Sequence, residues 1–230
     1  MKPEKLILLF DIDGTLLSVE RKGFNLVTEA MRIVFGTEMK LPHVSFSGKT
    51  DWQIYIETME HHQISKDIYE DKWNKFKEEY TGLFLKSITE TDLLIHNGGE
   101  KLLSAFHQND SVINALLTGN IKTLAYYKLK LAGLDHFFEF GAFGDDHWKR
   151  EELGKIAVER TSSVLKINPE KVKFIVIGDT PRDIDVAKEI KAISIVVTTG
   201  RFNEAELKIH GADFVINDLN DAKEIIEHYF

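Results

Sequence analysis

Two aspartates, Asp11 and Asp13, stand where the first apolar run of the chain ends. That run, residues 6–10, has no polar alternation, which is typical of a strand buried on both faces of a parallel sheet. The carboxyl ends of such strands are where α/β proteins place their chemistry. Charge there is costly unless a cation or a ligand compensates it. The pair therefore indicates a site for a compensating cation or ligand, with a solvated turn at Gly14 as the alternative.

Further candidate residues follow two later predicted strands, residues 112–117 and 174–177. They are Thr118, Gly119 and Asn120 after the first strand, and Asp179, Thr180 and Asp183 after the second. Each group on its own could be no more than a helix cap, where hydroxyl, amide and short acidic side chains are favoured. Parallel strands, however, bring their carboxyl ends to one edge of a sheet. We therefore expect these residues to lie near Asp11 and Asp13.

A basic group completes this predicted edge: Arg150, with Lys149 beside it, begins a predicted helix. Carboxylates gathered at one edge repel one another by several kcal/mol at an effective dielectric constant of about 20. A divalent metal ion removes that cost, and oxygen ligands in a chain without cysteine favour Mg²⁺. A metal ion, a cationic side chain and a hydroxyl donor together suit a phosphate group.

Strands and helices alternate after residue 110. The predicted strands are 112–117, 137–143, 174–177, 194–197 and 214–216, and the predicted helices are 121–131, 150–165, 182–190, 203–209 and 219–229. This alternation predicts an α/β fold with a doubly wound parallel sheet.

The alternation stops between residues 17 and 94, where apolar residues recur at helical spacing. The stripe that includes Tyr69, Trp73 and Phe76 is typical of the interior of a helical bundle. We therefore predict a core of residues 1–16 and 95–230 with an α-helical cap domain, residues 17–94, inserted after the first strand. Two connections to the core would let the cap move as a lid.

Composition excludes several classes of function. The chain of 230 residues has no cysteine, which excludes a disulfide framework, a thiolate metal site and a cysteine nucleophile. The net charge of −8, with no strongly basic stretch, argues against a nucleic-acid partner. No apolar run is long enough to span a bilayer, and no secretory signal is evident. We expect a cytoplasmic protein, as a monomer or a homodimer.

The motifs resemble those of the haloacid dehalogenase superfamily, in order and along the whole chain. Residues 11–17, Asp-Ile-Asp-Gly-Thr-Leu-Leu, are similar to its first motif, residues 117–120 to its second, and Gly178-Asp179 with Asp183 to its fourth. The third motif is usually a lysine, for which Arg150 is the candidate here, with Lys149 beside it. The resemblance implies a Rossmann-like core with a helical cap, in the branch of phosphoglycolate phosphatase-like and β-phosphoglucomutase-like proteins.

The resemblance also implies roles for the matched residues. Asp11 would be the nucleophile that forms an aspartyl-phosphate, and Asp13 the general acid and then the base. Mg²⁺ would be held by Asp11, the backbone carbonyl of Asp13 and Asp179. Thr118 and Arg150 would hold phosphoryl oxygens. Supporting roles at the substrate or its loops are implied for Thr15, Gly119, Asn120 and Asp183.

Several functions stay open. The leading prediction is an Mg²⁺-dependent phosphatase for a small phosphorylated metabolite, and the alternative is a sugar phosphomutase. A phospho-aspartate receiver module and an inactive binding protein are further alternatives. Asp13 argues against dehalogenases and phosphonate hydrolases, which lack this second carboxylate. Lys49 in the cap either contacts an anionic part of the substrate or lies in a solvated turn.

Overall fold

A six-stranded parallel sheet organises the computed structural model, which describes residues 4–19, 22–42 and 46–229. The strands are β1 (Lys5–Phe10), β2 (Leu17–Val19), β3 (Leu93–Ile95), β4 (Val112–Leu117), β5 (Gly141–Ala142), β6 (Val172–Gly178), β7 (Ile193–Val197) and β8 (Phe214–Ile216). The sheet has the order β5-β4-β1-β6-β7-β8, while β2 and β3 form a separate antiparallel pair. The predicted doubly wound α/β fold is confirmed.

The helices are α1 (Lys22–Phe35), α2 (Asp51–His61), α3 (Lys66–Ser87), α4 (Gly99–His107), α5 (Lys122–Leu131), α6 (Arg150–Leu165), α7 (Pro181–Glu189), α8 (Glu204–Ile209) and α9 (Ala222–Glu227). Helices that follow α3 cover both faces of the sheet. Alternate residues of β1 enter two different apolar clusters. Leu8 packs with Phe106 on one side, and Leu9 packs with Leu153 on the other. Burial on both faces explains why the sequence of β1 is apolar throughout.

The position of β1 in the sheet determines which loops meet. It pairs in parallel with β4 on one side and with β6 on the other, so that Phe10 lies opposite both Leu116 and Ile177. The three strands end at the same level, and the residues that follow them share one edge. This register is what brings residues distant in sequence to a common site.

Helices α1, α2 and α3, residues 22–87, form a unit that we call the helical insert. Its interior contains aromatic residues of α2 and α3: Tyr55, Tyr69, Trp73, Phe76, Tyr80 and Phe84. The chain enters and leaves the insert through β2 and β3, which pair with Leu17 opposite Ile95. The predicted division at residues 17 and 94 falls on this pair, and it stays a prediction.

The predicted strand at 137–143 is wrong in its extent. The sheet includes only Gly141 and Ala142, and a 3₁₀ turn occupies Asp135–Phe137. Phe138 and Phe140 are buried and lie outside β5, although the Phe140 carbonyl accepts a hydrogen bond from Leu116 N–H of β4. The aromatic residues of this segment indicate that it is buried, but they do not show whether its backbone pairs in the sheet.

Among the residues described, no helix is long and apolar enough to cross a membrane.

Candidate active site

The carboxyl ends of β1, β4 and β6 bring together the residues predicted from the sequence. Asp11, Thr118 and Asp179 are all buried. Single oxygens of Asp11, Asp179 and Asp183 lie within 4.8 Å of one another. The Thr15 hydroxyl lies 3.5 Å from Asp179 Oδ1. The predicted convergence of these side chains at one sheet edge is therefore present.

Thr118 is tied to the first loop through Asn120. The Asn120 amide donates to Thr118 Oγ1 at 2.8 Å and to Asp13 Oδ2 at 2.7 Å. These bonds connect the end of β4 to the end of β1. The loop after β1 also needs Gly14, whose φ is +84°, because a Cβ there would lie 2.4 Å from Asp179 Oδ2.

Arg150 places a positive charge beside the carboxylates of Asp11 and Asp183. Its side chain is buried, and Nη2 lies 3.0 Å from Asp11 Oδ2 while also donating to Asp183 Oδ1 at 2.5 Å. Lys149 is exposed, with Nζ 5.0 Å from the centre of the Trp148 ring. Of the two adjacent basic residues, Arg150 therefore has the contacts expected of the third motif. Its buried Nε has no hydrogen-bond partner among the described residues.

Both carboxylate oxygens of Asp183 accept hydrogen bonds from other groups of the protein. Oδ2 accepts hydrogen bonds from the backbone N–H groups of Asp179 and Thr180 and from the Thr180 hydroxyl. Oδ1 accepts from Arg150. These bonds cap α7 and fix the guanidinium, so the geometry favours a role in orienting Arg150 over direct contact with a substrate.

The buried carboxylates fit a divalent cation. Burial, together with the neighbouring Asp183 and Asp11 carboxylates, raises the pKa of Asp179 to about 9. Burial likewise raises the pKa of Asp11 to about 6, against the lowering effect of Arg150. A cation would replace the proton that such groups otherwise retain, and hard oxygen ligands suit Mg²⁺, Ca²⁺ or Mn²⁺. Asp11 and Asp179 are therefore the residues that would hold it.

Without a divalent ion, we expect the protein to lose stability as the pH rises from about 4 to about 9, with Asp179 alone responsible above about pH 6. A carboxyl group whose pKa is raised on folding binds more protons in the folded state, so the free energy of unfolding falls through that window. The pKa of Asp179, raised from 3.8 to about 9, predicts the largest contribution. Melting temperatures with EDTA measure it, and the stabilisation by added Mg²⁺ should grow with pH.

Two variants control this pH series. Asp179→Asn should flatten the metal-free profile above about pH 6, because it removes the group responsible. Asp185→Asn, an exposed position on the same helix as Asp183, should leave the profile unchanged. A wild-type melting temperature that is constant or rises over this window would contradict the buried cluster.

A cavity of about 380 Å³ opens beside the carboxylates. The sheet edge contributes Asp11, Asp13, Asn120, Arg150 and Asp179 to its lining, and the insert side contributes residues that include Phe24, Phe46, Lys49, Asp51 and Phe84. The Lys49 side chain is 9% exposed and forms an ion pair with Glu57, so a solvated turn does not describe it. Lys49 does line the cavity, and contact with a substrate stays a prediction.

The loop before α2 sits directly on the sheet edge. Asp51 N–H donates to the Gly119 carbonyl at 2.8 Å, and the Thr50 hydroxyl donates to the Trp148 carbonyl at 2.6 Å. Asp51 Oδ2 accepts from Ile121 N–H at 2.8 Å. A Cβ at position 119 would lie 2.2 Å from the Lys49 carbonyl oxygen, so glycine permits this close approach. Gly119 therefore contacts the helical insert through its backbone.

Lys128 belongs to the site and was missed by the sequence interpretation. It is buried on α5, and its Nζ lies 2.7 Å from Asp13 Oδ2 and 2.6 Å from Asn120 Oδ1. The available signal is its place on an apolar helix face, four residues after Leu124 and three before Leu131. A lysine in such a stripe is unusual unless a buried partner compensates its charge.

Known proteins resemble this chain over most of its length. A family model described as haloacid dehalogenase-like hydrolase matches residues 8–197. The pyrophosphatase PpaX of Listeria monocytogenes serotype 4a is 26% identical over 225 residues, which are 95% of each chain.

Solved structures share the fold. A predicted phosphatase from Clostridium acetobutylicum superposes with a TM-score of 0.69 at 20% identity, covering 99% of this chain and 100% of that one. A β-phosphoglucomutase from Clostridium difficile superposes with a TM-score of 0.68 at 22% identity, covering 100% and 97%. The match to the family model extends from β1 to β7 and includes every residue placed at the sheet edge. The chain thus belongs to the family of haloacid dehalogenase-like hydrolases.

Proposed function

We propose that this hydrolase is an Mg²⁺-dependent phosphatase that cleaves a small phosphomonoester through an aspartyl-phosphate on Asp11. The observation that carries the proposal is the joint position of Asp11, Asp179 and Arg150 at one buried edge. A buried carboxylate beside a guanidinium and a site for a divalent cation can attack phosphorus while the phosphoryl charge is compensated.

The chain's own residues account for both steps. An oxygen of Asp11 forms a bond to phosphorus as the bond to the leaving oxygen breaks, and Asp13 gives its proton to that oxygen. Asp13 then takes a proton from water, whose oxygen attacks phosphorus and releases Asp11. Arg150 and Thr118 would hold the phosphoryl oxygens, and the unpartnered Arg150 Nε is a suitable donor. Bound Mg²⁺ would supply charge compensation at the phosphoryl group.

Release of inorganic phosphate tests this function. The purified protein should hydrolyse some members of a panel of phosphate esters, which includes p-nitrophenyl phosphate, phosphoglycolate, hexose phosphates and pyrophosphate. Activity should require Mg²⁺ and disappear with EDTA. Pyrophosphate is included because PpaX is a pyrophosphatase. Phosphate release from no member, or equal release with EDTA, would contradict the proposal.

A sugar phosphomutase is the second candidate. The hydrogen bonds that seat the loop before α2 on the sheet edge favour it, because a seated insert excludes water from an aspartyl-phosphate. A hexose 1-phosphate, supplied with the matching bisphosphate, separates the two activities. Isomer formed without free phosphate would identify the mutase, and free phosphate would identify the phosphatase. A small phosphorylated metabolite as substrate, and a cytoplasmic location, remain predictions.

A further inference from the structure

Lys128 makes three close contacts with its buried ammonium group. Nζ lies 2.9 Å and 2.7 Å from the two carboxylate oxygens of Asp13, and it donates to Asn120 Oδ1 at 2.6 Å. The Asn120 amide donates to Asp13 Oδ2 from the other side. The two oxygens of the Asp13 carboxylate lie in nearly the same direction from Nζ, so one N–H can serve both, and a second N–H goes to Asn120. Lys128 also lines the cavity, and these contacts hold its ammonium group against Asp13 at the cavity wall.

Packing does not require a charge at this position. Lys128 lies next to Leu124 and Leu129, which are both fully buried, and its ammonium is 5.6 Å from the centre of the Phe84 ring. A leucine or methionine would fill such a place without the cost of removing an ammonium from water. The positive charge of Lys128 is therefore explained by its contacts with Asp13 and Asn120 and not by the apolar residues around it.

The contacts fix two groups at once. Because Asn120 Oδ1 accepts from Lys128, its amide nitrogen must point to Asp13 and Thr118. The Asp13 side chain is 41% exposed and would otherwise rotate, since few other contacts hold it. Lys128 thus anchors the carboxyl group at the cavity wall, on the side where Phe84 of the helical insert approaches.

We propose that Lys128 is the positioning residue for Asp13, and that it holds this carboxyl group where it transfers its proton to the leaving oxygen. This inference depends on the proposed phosphatase function. In the step concerned, the bond from phosphorus to the leaving oxygen breaks and the bond to Asp11 forms. The proton that Asp13 took from water in the preceding turnover moves to the leaving oxygen. In this role Lys128 acts through Asp13 and does not itself donate the proton.

The dependence of rate on the leaving group tests this role. For p-nitrophenyl, phenyl and p-methoxyphenyl phosphates, kcat/KM reports the step that breaks the ester bond. Lys128→Met should lower it by about 30-fold for phenyl phosphate and by less than about 3-fold for p-nitrophenyl phosphate, whose leaving group needs little protonation. The slope against leaving-group pKa should steepen, as it should in Asp13→Asn.

Three further variants distinguish a loss of Asp13 positioning from a general loss of structure. Lys130→Met, at an exposed position on the same helix, should keep the wild-type slope. Lys128→Arg keeps a cationic donor and should restore most of the shallow slope. In an Asp13→Asn background, Lys128→Met should cause little additional loss, because the group it positions is gone.

Two outcomes would overturn the inference: equal losses on all three esters with an unchanged slope, or the full loss repeated in the Asp13→Asn background. Either would assign Lys128 a structural role alone. Should Lys128→Met not fold, a steep slope in the folded Lys128→Arg variant would also contradict it. If the wild-type protein hydrolyses none of the esters, the proposed function itself fails, which is a different result.

Discussion

Asp11→Asn is expected to lower kcat by at least about 10⁴-fold on any substrate that the wild-type protein hydrolyses. The amide that replaces the carboxylate is a poor nucleophile, and the covalent intermediate cannot form. The measurement is phosphate release with Mg²⁺ under saturating substrate. Brief incubation of the wild-type protein with substrate, followed by acid quench, should add one phosphoryl group to the peptide that contains Asp11. The variant should show none.

The control for Asp11→Asn is Asp185→Asn. Asp185 is exposed on α7, close in sequence to Asp183. Its replacement by asparagine makes the same chemical change as Asp11→Asn, but away from the cavity. Its kcat should equal that of the wild type within about 2-fold, since surface substitutions of this kind have small effects. If Asp11→Asn retained wild-type turnover, another residue would be the nucleophile.

Arg150→Met is expected to damage both stability and activity. Removing the guanidinium leaves Asp11 and Asp183 buried without their cation, which costs about 3–5 kcal/mol in the free energy of unfolding. Loss of the charge that faces the phosphoryl group should lower kcat/KM by about 10²–10³-fold. Denaturant unfolding measures the first effect, and steady-state kinetics measures the second.

Two matched variants test why Arg150 is required. Arg150→Lys keeps the charge but loses the planar fork, so its losses should fall between those of the wild type and Arg150→Met. Lys149→Met removes the adjacent exposed cation and should change stability by less than about 0.5 kcal/mol. A larger effect at Lys149 than at Arg150 would reverse the assignment of the third motif.

Sequence patterns predicted the part of the site that depends on strands. Asp11, Thr118 and Asp179 each follow a mostly apolar strand, interrupted before Thr118 by Asn114, and parallel pairing brings the ends of such strands together without further information. The convergence therefore followed from local patterns and one topological rule.

Contacts across long sequence separations could not be predicted in the same way. Lys128 meets Asp13 across 115 positions, and no local pattern encodes that distance. Lys149 and Arg150 have the same charge, and only the start of α6 decides which of them points into the interior. Phe138 and Phe140 would be buried apolar residues whether or not they belonged to a strand, so their residue types could not show where the strand at Gly141 begins.

The hydrogen bonds of Thr50 and Asp51 also bear on turnover. Swinging the helical insert away from the sheet would break their three bonds to Trp148, Gly119 and Ile121, at roughly 1 kcal/mol net for each. These bonds favour the shut arrangement in the empty enzyme, and we expect a bulky ester to enter only after they break. We expect the dephosphorylated alcohol to leave through the same opening, so this motion adds a step to turnover of large substrates that is separate from bond cleavage.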